Sequence, residues 1–411
     1  MPLFSFKGGI HLPPRKELFR ATSISTIAVP HTCHYMMLDA GASFVPVVKK
    51  GDFVAEGQII ARDPSKKHPP LHASIPGRVI IMDPVQGIFI EAQGAFPSLH
   101  LVEFDHSWKS RSHEGIRQSL FDAGIFLPQT TGSDITLIVN LIDPEPNMSA
   151  RREILTTSNS YLADGIEICA KGLRADRIII VTVGRGKSDA KTLAVELRKR
   201  TFAQSVLTKT LSSKYPQSAE PLIIKGTLGI ETNQKDDNRT QKIAVIGAET
   251  FIAAHNALSG KKPFCERIIS LAGKDLSRPG NYKVRFGTPI SHIMDECGVD
   301  KNRIEGVLIG GEMTGTVTTD YDVPVSRSTA ALLFLSRKEV RTKKKYPCIR
   351  CGRCTDVCPM RLLPTDLAHQ DANEKNSTLR ERCISCGCCS ALCPSGIPLA
   401  QMIALKGVSN D

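Results

Sequence analysis

The chain has 411 residues, 41% of them hydrophobic and 23% charged, with a formal net charge of +12. That is room for two to four domains of ordinary globular composition, and no run approaches the roughly 18 apolar residues of a spanning helix. A single tryptophan and no interleaving of aromatic with basic residues argue against nucleic acid; the charge favours an acidic protein or anionic lipid. The opening residues lack the charged-then-apolar pattern of a secretory signal, so the expected place is the cytosol, or a membrane surface where partners hold the chain.

In chain order, the first hundred residues read as short strands and turns. "VVKKGDFVAEGQIIA" (Val47 to Ala61) and "LHASIPGRVIIM" (Leu71 to Met82) alternate apolar and polar residues between Gly and Pro breaks. The pair resembles the two halves of a biotinyl/lipoyl-type β barrel-sandwich hybrid. Lys66 and Lys67 are the only carrier-lysine candidates between them. Their proline-flanked setting is wrong for a modified hairpin, so a structural or docking module is expected. From about 106 to 260 strands and helices alternate, predicting an α/β unit. "DITLIVNLI" (Asp134 to Ile142) and "DRIIIVTVG" (Asp176 to Gly184) suit buried parallel strands. "NSYLADGIEICAKGL", "SDAKTLAVELRKR" and the second half of "KIAVIGAETFIAAHNAL" follow the helical period, and "GIETNQKDDNRTQ" (Gly229 to Gln241) reads as a polar loop. From 261 to 336, "ERIISLAG", "NYKVRFGTPI", "VLIGGEMTG" and "ALLFLS" predict a third, β-grasp-like unit with one helix near Ser291 to Cys297. Its longest clean apolar run, Ala330 to Leu335, is taken as a buried strand. Residues 337–411 form the last unit, entered through the basic connector Ser336 to Pro347.

Nine of the 13 cysteines lie between Cys348 and Cys393. Crowding of this kind outside a small secreted domain points to metal. Cys348, Cys351, Cys354 and Cys358 precede Pro359; Cys383, Cys386, Cys389 and Cys393 precede Pro394. Both runs follow C-x2-C-x2-C-x3-C-P, in which three cysteines grip one cube and the fourth reaches the other. The expected ligand sets are therefore Cys348, Cys351, Cys354 and Cys393 for a first [4Fe-4S] cluster, and Cys383, Cys386, Cys389 and Cys358 for a second. Structural zinc uses two ligand pairs and does not suit this spacing. Cys388, inside "CGCC", is read as a packed bystander. Helices are expected from Pro364 and in "IPLAQMIALKG".

"FKGGIHLPP" (Phe6 to Pro14), "KYPQSAE" (Lys214 to Glu220), "GTPISHIMDECG" (Gly287 to Gly298), "GGEMTG" (Gly310 to Gly315), "DVPVSRSTAALL" (Asp322 to Leu333) and "PCIRCGRCTDVCPMRLLPTDLA" (Pro347 to Ala368) occur in that order. Together they resemble the RnfC/RsxC family of the Rnf/Rsx ion-translocating electron transport complex, over nearly the whole chain. The resemblance implies a peripheral subunit on the cytoplasmic face, docked on membrane subunits of an Rnf-type complex. It implies two [4Fe-4S] clusters relaying electrons between ferredoxin or NADH and the membrane. It also implies a multidomain α+β fold: barrel-sandwich hybrid (1–105), α/β unit like the flavin subunit of NADH dehydrogenase (106–260), SLBB β-grasp (261–336) and helical two-cluster ferredoxin-type domain (337–411).

The flavin loop of that family, roughly G-x-G-G-A-x-F-P, stands here as "FDAGIFLPQT" (Phe121 to Thr130), where only Gly124 and Pro128 match. Ala123 and Ile125 add Cβ groups where backbone N–H groups should approach a phosphate. The family's N-x-x-E-C-E-P-Y stands as "NLIDPEPN" (Asn140 to Asn147), with Asp143 and Glu145 matching in character. Gly124, Pro128, Asp143 and Glu145 are thus the remaining candidates for an FMN/NADH site, and binding of both ligands is expected to be weakened or lost. "GRGKS" (Gly184 to Ser188) is too short for a phosphate loop and reads as a βα turn. The basic region Arg337 to Arg353 suits direct docking of an acidic carrier, ferredoxin or flavodoxin. Three other readings stay open on the sequence: an intact FMN/NADH-oxidising subunit, a soluble cobalamin-reductase-like protein, and an assembly scaffold whose clusters only stabilise the fold.

Overall fold

The computed structural model describes residues 6–12, 23–39, 42–83, 86–93, 106–146, 148–200, 205–231, 242–260, 262–340, 344–369 and 374–408. Pro13, Pro14, Asn147, Arg341, Lys343 and most of the polar loop ending at Gln241 lie outside them.

Short strands with glycine at the reversals build the first unit. Thr32–Tyr35, Gly87–Ala92, Gly77–Asp83 and Phe53–Val54 form one sheet, and Val45–Pro46, Ile59–Arg62 and Leu71–His72 a second. Gly51 and Gly57 take positive φ at two of the turns. The inward set includes Val54, Ile60, Ile75, Ile88 and Ile90, all fully buried. Burial of such a side chain contributes about 1.5–3 kcal/mol.

That core does not close on itself. A six-stranded mixed sheet, in the order Ile24–Thr26, Gly280–Arg285, Glu266–Gly273, Ala331–Ser336, Ile304–Ile309 and Thr316–Thr318, shares it. Its edge strand Ile24–Thr26 comes from the first hundred residues and runs parallel to Gly280–Arg285. The Ser74 hydroxyl donates to the Phe286 carbonyl at 2.5 Å, the His34 N–H to the Gly287 carbonyl at 2.9 Å, and Arg285 pairs with Glu56 at 2.7 Å. The helix expected near Ser291 is Ile290–Glu296. Cys33, Cys265 and Cys297 are buried in or beside this joint core, and Cys169 in that of the α/β unit, so the scattered cysteines serve packing.

The α/β unit holds a parallel sheet in the order Ser205–Leu211, Arg177–Val183, Thr136–Asn140, Ile243–Gly247. Continuous runs such as "TLIVN" are buried at every position, as a sheet covered on both faces requires. Helices His113–Asp122, Asn159–Leu173 and Ala248–Leu258 cover one face and Glu220–Leu228 the other. Gly165 lets two of them cross closely, since a Cβ there would collide with the Phe251 carbonyl. "GRGKS" is a single 3-10 turn, Gly184–Gly186, leading into helix Lys187–Lys199, with Arg185 and Lys187 exposed.

The last unit is helical: Arg353–Val357, Pro364–His369, Glu374–Glu381, Cys388–Ala391 and Leu399–Val408. Leu362, Leu367, Leu399, Ala400 and Ile403 form its small core, against Cys389.

Candidate metal centres

The two cysteine loops have one backbone design. Arg350 and Gly352 have φ of 55° and 76°; their counterparts Ser385 and Gly387 have 49° and 75°. Three residues beyond each fourth cysteine the pattern repeats, with Arg361 at 55° and Gly396 at 66°. These left-handed residues turn the chain around the thiols and aim N–H groups at them. Arg350 N–H donates to Cys348 Sγ and Leu362 N–H to Cys358 Sγ, both at 3.4 Å.

Cys383, Cys386 and Cys389 line one apolar gap together with Cys358, which arrives from the other motif; Met360, Leu362, Leu367 and Ile403 complete its wall. Burial, then the neighbouring thiols Cys386 and Cys383, push the Cys389 thiol up to about 12. Burial likewise raises Cys358 and Cys383, while a hydrogen bond with Cys388 lowers Cys386. Four thiols drawn together in an apolar setting become thiolates when a cation centre joins them. Among the described residues no three His, Cys, Asp or Glu converge as a single ion would need. The donor set is all sulfur around a gap, which fits a cube rather than one zinc ion.

At the other loop, Tyr346 N–H donates to the Ser395 carbonyl and Ser395 Oγ to the Pro347 carbonyl, both at 2.9 Å. This lays Cys348 beside the segment that carries Cys393. Cys348 and Cys351 are exposed, and Ile349 next to them is 67% exposed. Lys344, Lys345, Arg350 and Arg353 are exposed around them, with one acid, Asp356, on the same short helix. Of the other charges in the basic region, Arg337 faces Glu305 at 3.3 Å, and Glu339 is tied to Ser336 and Lys274.

Three segments far away in sequence meet the Cys383–Cys389 loop or Val357 and Cys358 beside it. Gly9 N–H donates to the Val357 carbonyl at 2.8 Å, and a Cβ on Gly8 would lie 2.7 Å from the Cys358 carbonyl oxygen. Ile10 and Tyr215 exchange two backbone hydrogen bonds at 2.9 Å, and Lys214 Nζ donates to the Phe6 and Gly8 carbonyls. Tyr215 donates its hydroxyl hydrogen to the Cys386 carbonyl at 2.8 Å. Gly387 abuts the Met313 carbonyl, where a Cβ would collide. Cys388 is fully buried among Ile10, Tyr215 and Val357, a packing partner of these segments.

The candidate flavin residues are placed differently. Gly124 has φ of 90°, and a Cβ there would lie 3.3 Å from His72 Nδ1 and 3.4 Å from Phe264 Cβ. Ile125 and Leu127 turn into the core, and the Pro128 carbonyl accepts from Arg117 at 3.0 Å. Asp143 accepts the Arg151 N–H at 2.9 Å, at the start of helix Ala150–Thr157; burial pushes its carboxyl up to about 7. Glu145 is buried and accepts from Thr314 Oγ1 at 2.5 Å and from Met313 N–H at 3.1 Å, so it fastens the α/β unit to the mixed sheet. The carboxyl ends of parallel strands are where such sheets bind ligands. Here Arg151 and Glu249 fill that edge, 2.6 Å apart, and a Cβ on Gly247 would collide with the Arg151 guanidinium. Burial opposes the Glu249 charge, but Arg151 overrides it and holds that carboxyl down to about 2. Neither Arg151 nor Glu249 stands out in the sequence, since each is one ordinary charge on a helix.

Family comparisons cover three of the units: "RnfC Barrel sandwich hybrid domain" over residues 4–95, "Nuo51 FMN-binding domain" over 119–256 and "4Fe-4S dicluster domain" over 347–397. The C subunit of the proton-translocating ferredoxin:NAD(+) oxidoreductase complex of Clostridium ljungdahlii is 27% identical, over 92% of this chain and 88% of that protein. The corresponding subunit of the ion-translocating oxidoreductase complex of Rhodobacter capsulatus is 29% identical, over 89% and 74%. That of the Na(+)-translocating ferredoxin:NAD(+) oxidoreductase complex of Acetobacterium woodii is 26% identical, over 89% and 86%. Among solved structures, an NAD+-reducing [NiFe]-hydrogenase in the air-oxidized state is similar in fold, with a TM-score of 0.50 at 14% identity. The match covers 71% of this chain and 60% of that one. No helix among the described residues is long and apolar enough to cross a membrane. Along nearly its whole length, and in the order of its barrel-sandwich, FMN-binding-type and dicluster units, the chain is similar to the C subunits of ion-translocating oxidoreductase complexes.

Proposed function

We propose that the chain is the peripheral iron-sulfur electron-transfer subunit of a membrane-bound, ion-translocating oxidoreductase of the Rnf type. It relays single electrons between a soluble carrier and the membrane subunits, from the cytoplasmic face. The observation that carries this reading is the meeting of Cys358 with Cys383, Cys386 and Cys389 around one gap, which matches the crossed ligand pattern of a two-cluster domain. On this reading Cys348, Cys351, Cys354 and Cys393 hold the outer [4Fe-4S] cluster and the other four the inner one. The clusters supply one-electron carriers; the chain supplies thiolates, N–H···S bonds and an apolar wall that excludes water from the inner site.

The residues that would hold FMN and NADH do not fit them. Ile125 and Leu127 occupy core positions, Asp143 and Glu145 are engaged by the protein's own N–H and O–H groups, and Arg151 with Glu249 fills the strand ends. Electrons then pass at the exposed outer loop, where Lys344, Lys345, Arg350 and Arg353 suit an acidic donor such as ferredoxin or flavodoxin. Anaerobically purified chain is expected to carry about eight iron atoms in two clusters, to show no saturable FMN or NADH binding, and to be reduced by ferredoxin at a rate that falls with salt. Micromolar binding of both FMN and NADH would restore the flavin reading, which the match to the FMN-binding domain favours.

A further inference from the structure

Three of the motifs that mark this chain, "FKGGIH", "KYPQSAE" and "GGEMTG", carry no ligand of either cluster. They come together on one object. The Phe6–Ile10 strap backs Val357 and Cys358; Tyr215 holds the Cys386 carbonyl; Met313 closes on Gly387. The four inner ligands, Cys358 among them, are thus seated in a socket made by three other units; the strap also touches the first motif at Val357, while Tyr346, Pro347 and Ser395 tie the start of that motif to its own domain.

We propose that Tyr215 is a positioning residue for the inner cluster, and that its hydroxyl gives the two clusters unequal potentials. The reading of Cys358, Cys383, Cys386 and Cys389 as that cluster's ligands underlies this. The chemistry is short-range. Tyr215 is buried, and its ring packs beside Ile10, Val357, Cys388, Met313 and Cys386. Its one O–H hydrogen has two acceptors, the carbonyl of ligand residue Cys386 at 2.8 Å and Glu145 Oε1 at 3.5 Å, and the shorter contact to the carbonyl takes it. A donor on the Cys386 carbonyl draws negative charge away from the peptide group that adjoins the Cys386 sulfur, and in a low-dielectric setting that lessens the repulsion felt by added charge on the cluster. Donors around cluster sulfur stabilise the reduced, more negative state and raise its potential. No side-chain hydroxyl is placed this way on the equivalent carbonyl of the outer loop, Cys351, among the described residues. With both clusters bound, a higher potential at the inner site would favour transfer of one electron from the outer cluster, oxidised in the step, to the inner one, reduced in it.

The test uses the full chain with both clusters, purified anaerobically, and reads potentiometric titrations by electron paramagnetic resonance beside iron content. In the native chain about eight irons and two resolved signals are expected; fewer irons or a single cluster type would overturn the ligand reading itself. In Tyr215→Phe, with iron retained, one signal shifts to lower potential and the other stays. The shifted signal is the one that Cys386→Ser abolishes and Cys351→Ser spares. Two unmoved signals, or equal shifts in both, would overturn the role of Tyr215 and leave the ligand reading standing. Where Tyr215→Phe assembles less iron, the surviving signal decides. Survival of the signal that Cys351→Ser abolishes supports the assignment; survival of the other refutes it.

Discussion

Gly352 and Gly387 stand at the same place in two copies of one turn, with φ of 76° and 75°. An added Cβ at Gly352 would meet nothing within 4 Å; at Gly387 it would strike the Met313 carbonyl. The contrast extends along both loops: Cys348 and Cys351 are exposed and Cys354 half-buried, while Cys383 and Cys386 are half-buried and Cys389 buried. The repeated cysteine spacing dictates the turn in both places. What surrounds the turn is decided elsewhere in the chain, and it makes one loop a surface and the other part of the interior.

Removing one ligand from each side sharpens this difference most. Cys386→Ser and Cys351→Ser should each cost about half the iron, but only the first should also destabilise the fold as a whole, by on the order of 5 kcal/mol, because metal binding is folding energy where the site is built into the core. Chemical denaturation alongside iron analysis reads both; equal destabilisation would erase the distinction. Next come the paired glycines. Gly352→Ala carries only the left-handed backbone cost of about 1–2 kcal/mol, and Gly387→Ala adds an overpacking cost of about 1–3 kcal/mol. Equal denaturation midpoints for the two variants would show that the Met313 contact is dispensable.

The closed edge of the α/β sheet gives a third test, since it decides whether the interior side receives electrons from a ligand of its own. Arg151→Met strands Glu249 and should cost about 3 kcal/mol at neutral pH. Glu249 is held down to about 2, so its contribution is complete above the unfolded carboxylate range and fades as pH falls toward 2. Asp143 has the opposite sign: pushed up to about 7, it makes stability decline as pH rises through the unfolded carboxylate range toward that value, and Asp143→Asn should flatten that slope. Urea titrations between pH 2 and pH 8 separate the two, Glu249 acting below about pH 4.5 and Asp143 between about pH 4 and 7. The smallest effect belongs to the outer rim. Charge reversal at Lys344 and Lys345 should slow reduction by ferredoxin several-fold at low salt and leave little difference at high salt. A rate that is indifferent to both changes removes docking from this face.

Much of the architecture was legible. Helix Asn159–Leu173 coincides with the periodic run that predicts it, strand Ala331–Ser336 falls within one residue of the apolar run, and the cysteine spacing marks both loops. Those signals are local, with a period or a count that a short window contains. Strand Ser205–Leu211 was not recognised, because it is a sheet edge whose side chains are only partly buried. Ile24–Thr26 spans three residues and finds its partner more than half the chain away, which no pattern records. The socket around the inner loop was invisible for the same reason. "FKGGIH", "KYPQSAE" and "GGEMTG" are conspicuous as words, but their meeting is a property of the fold. The Arg151–Glu249 pair was hidden by its plainness, although the missing glycines of "FDAGIFLPQT" already pointed to the edge that it closes.

The bond from Gly9 to Val357 joins positions separated by most of the chain. Its consequence lies in the order of assembly. A ribosome delivers the Phe6–Ile10 segment long before the cysteines it will brace, and loop closure over such a span is slow and entropically costly. The strap must therefore wait while the intervening units fold, and it can latch only when the last of them is in place. Where cluster insertion completes the partner surface, insertion and latching should report on each other, and the early segment of a chain without clusters is expected to be cut more readily by proteases. Limited proteolysis of nascent and matured protein would show the latch as a cleavage that disappears once iron is in.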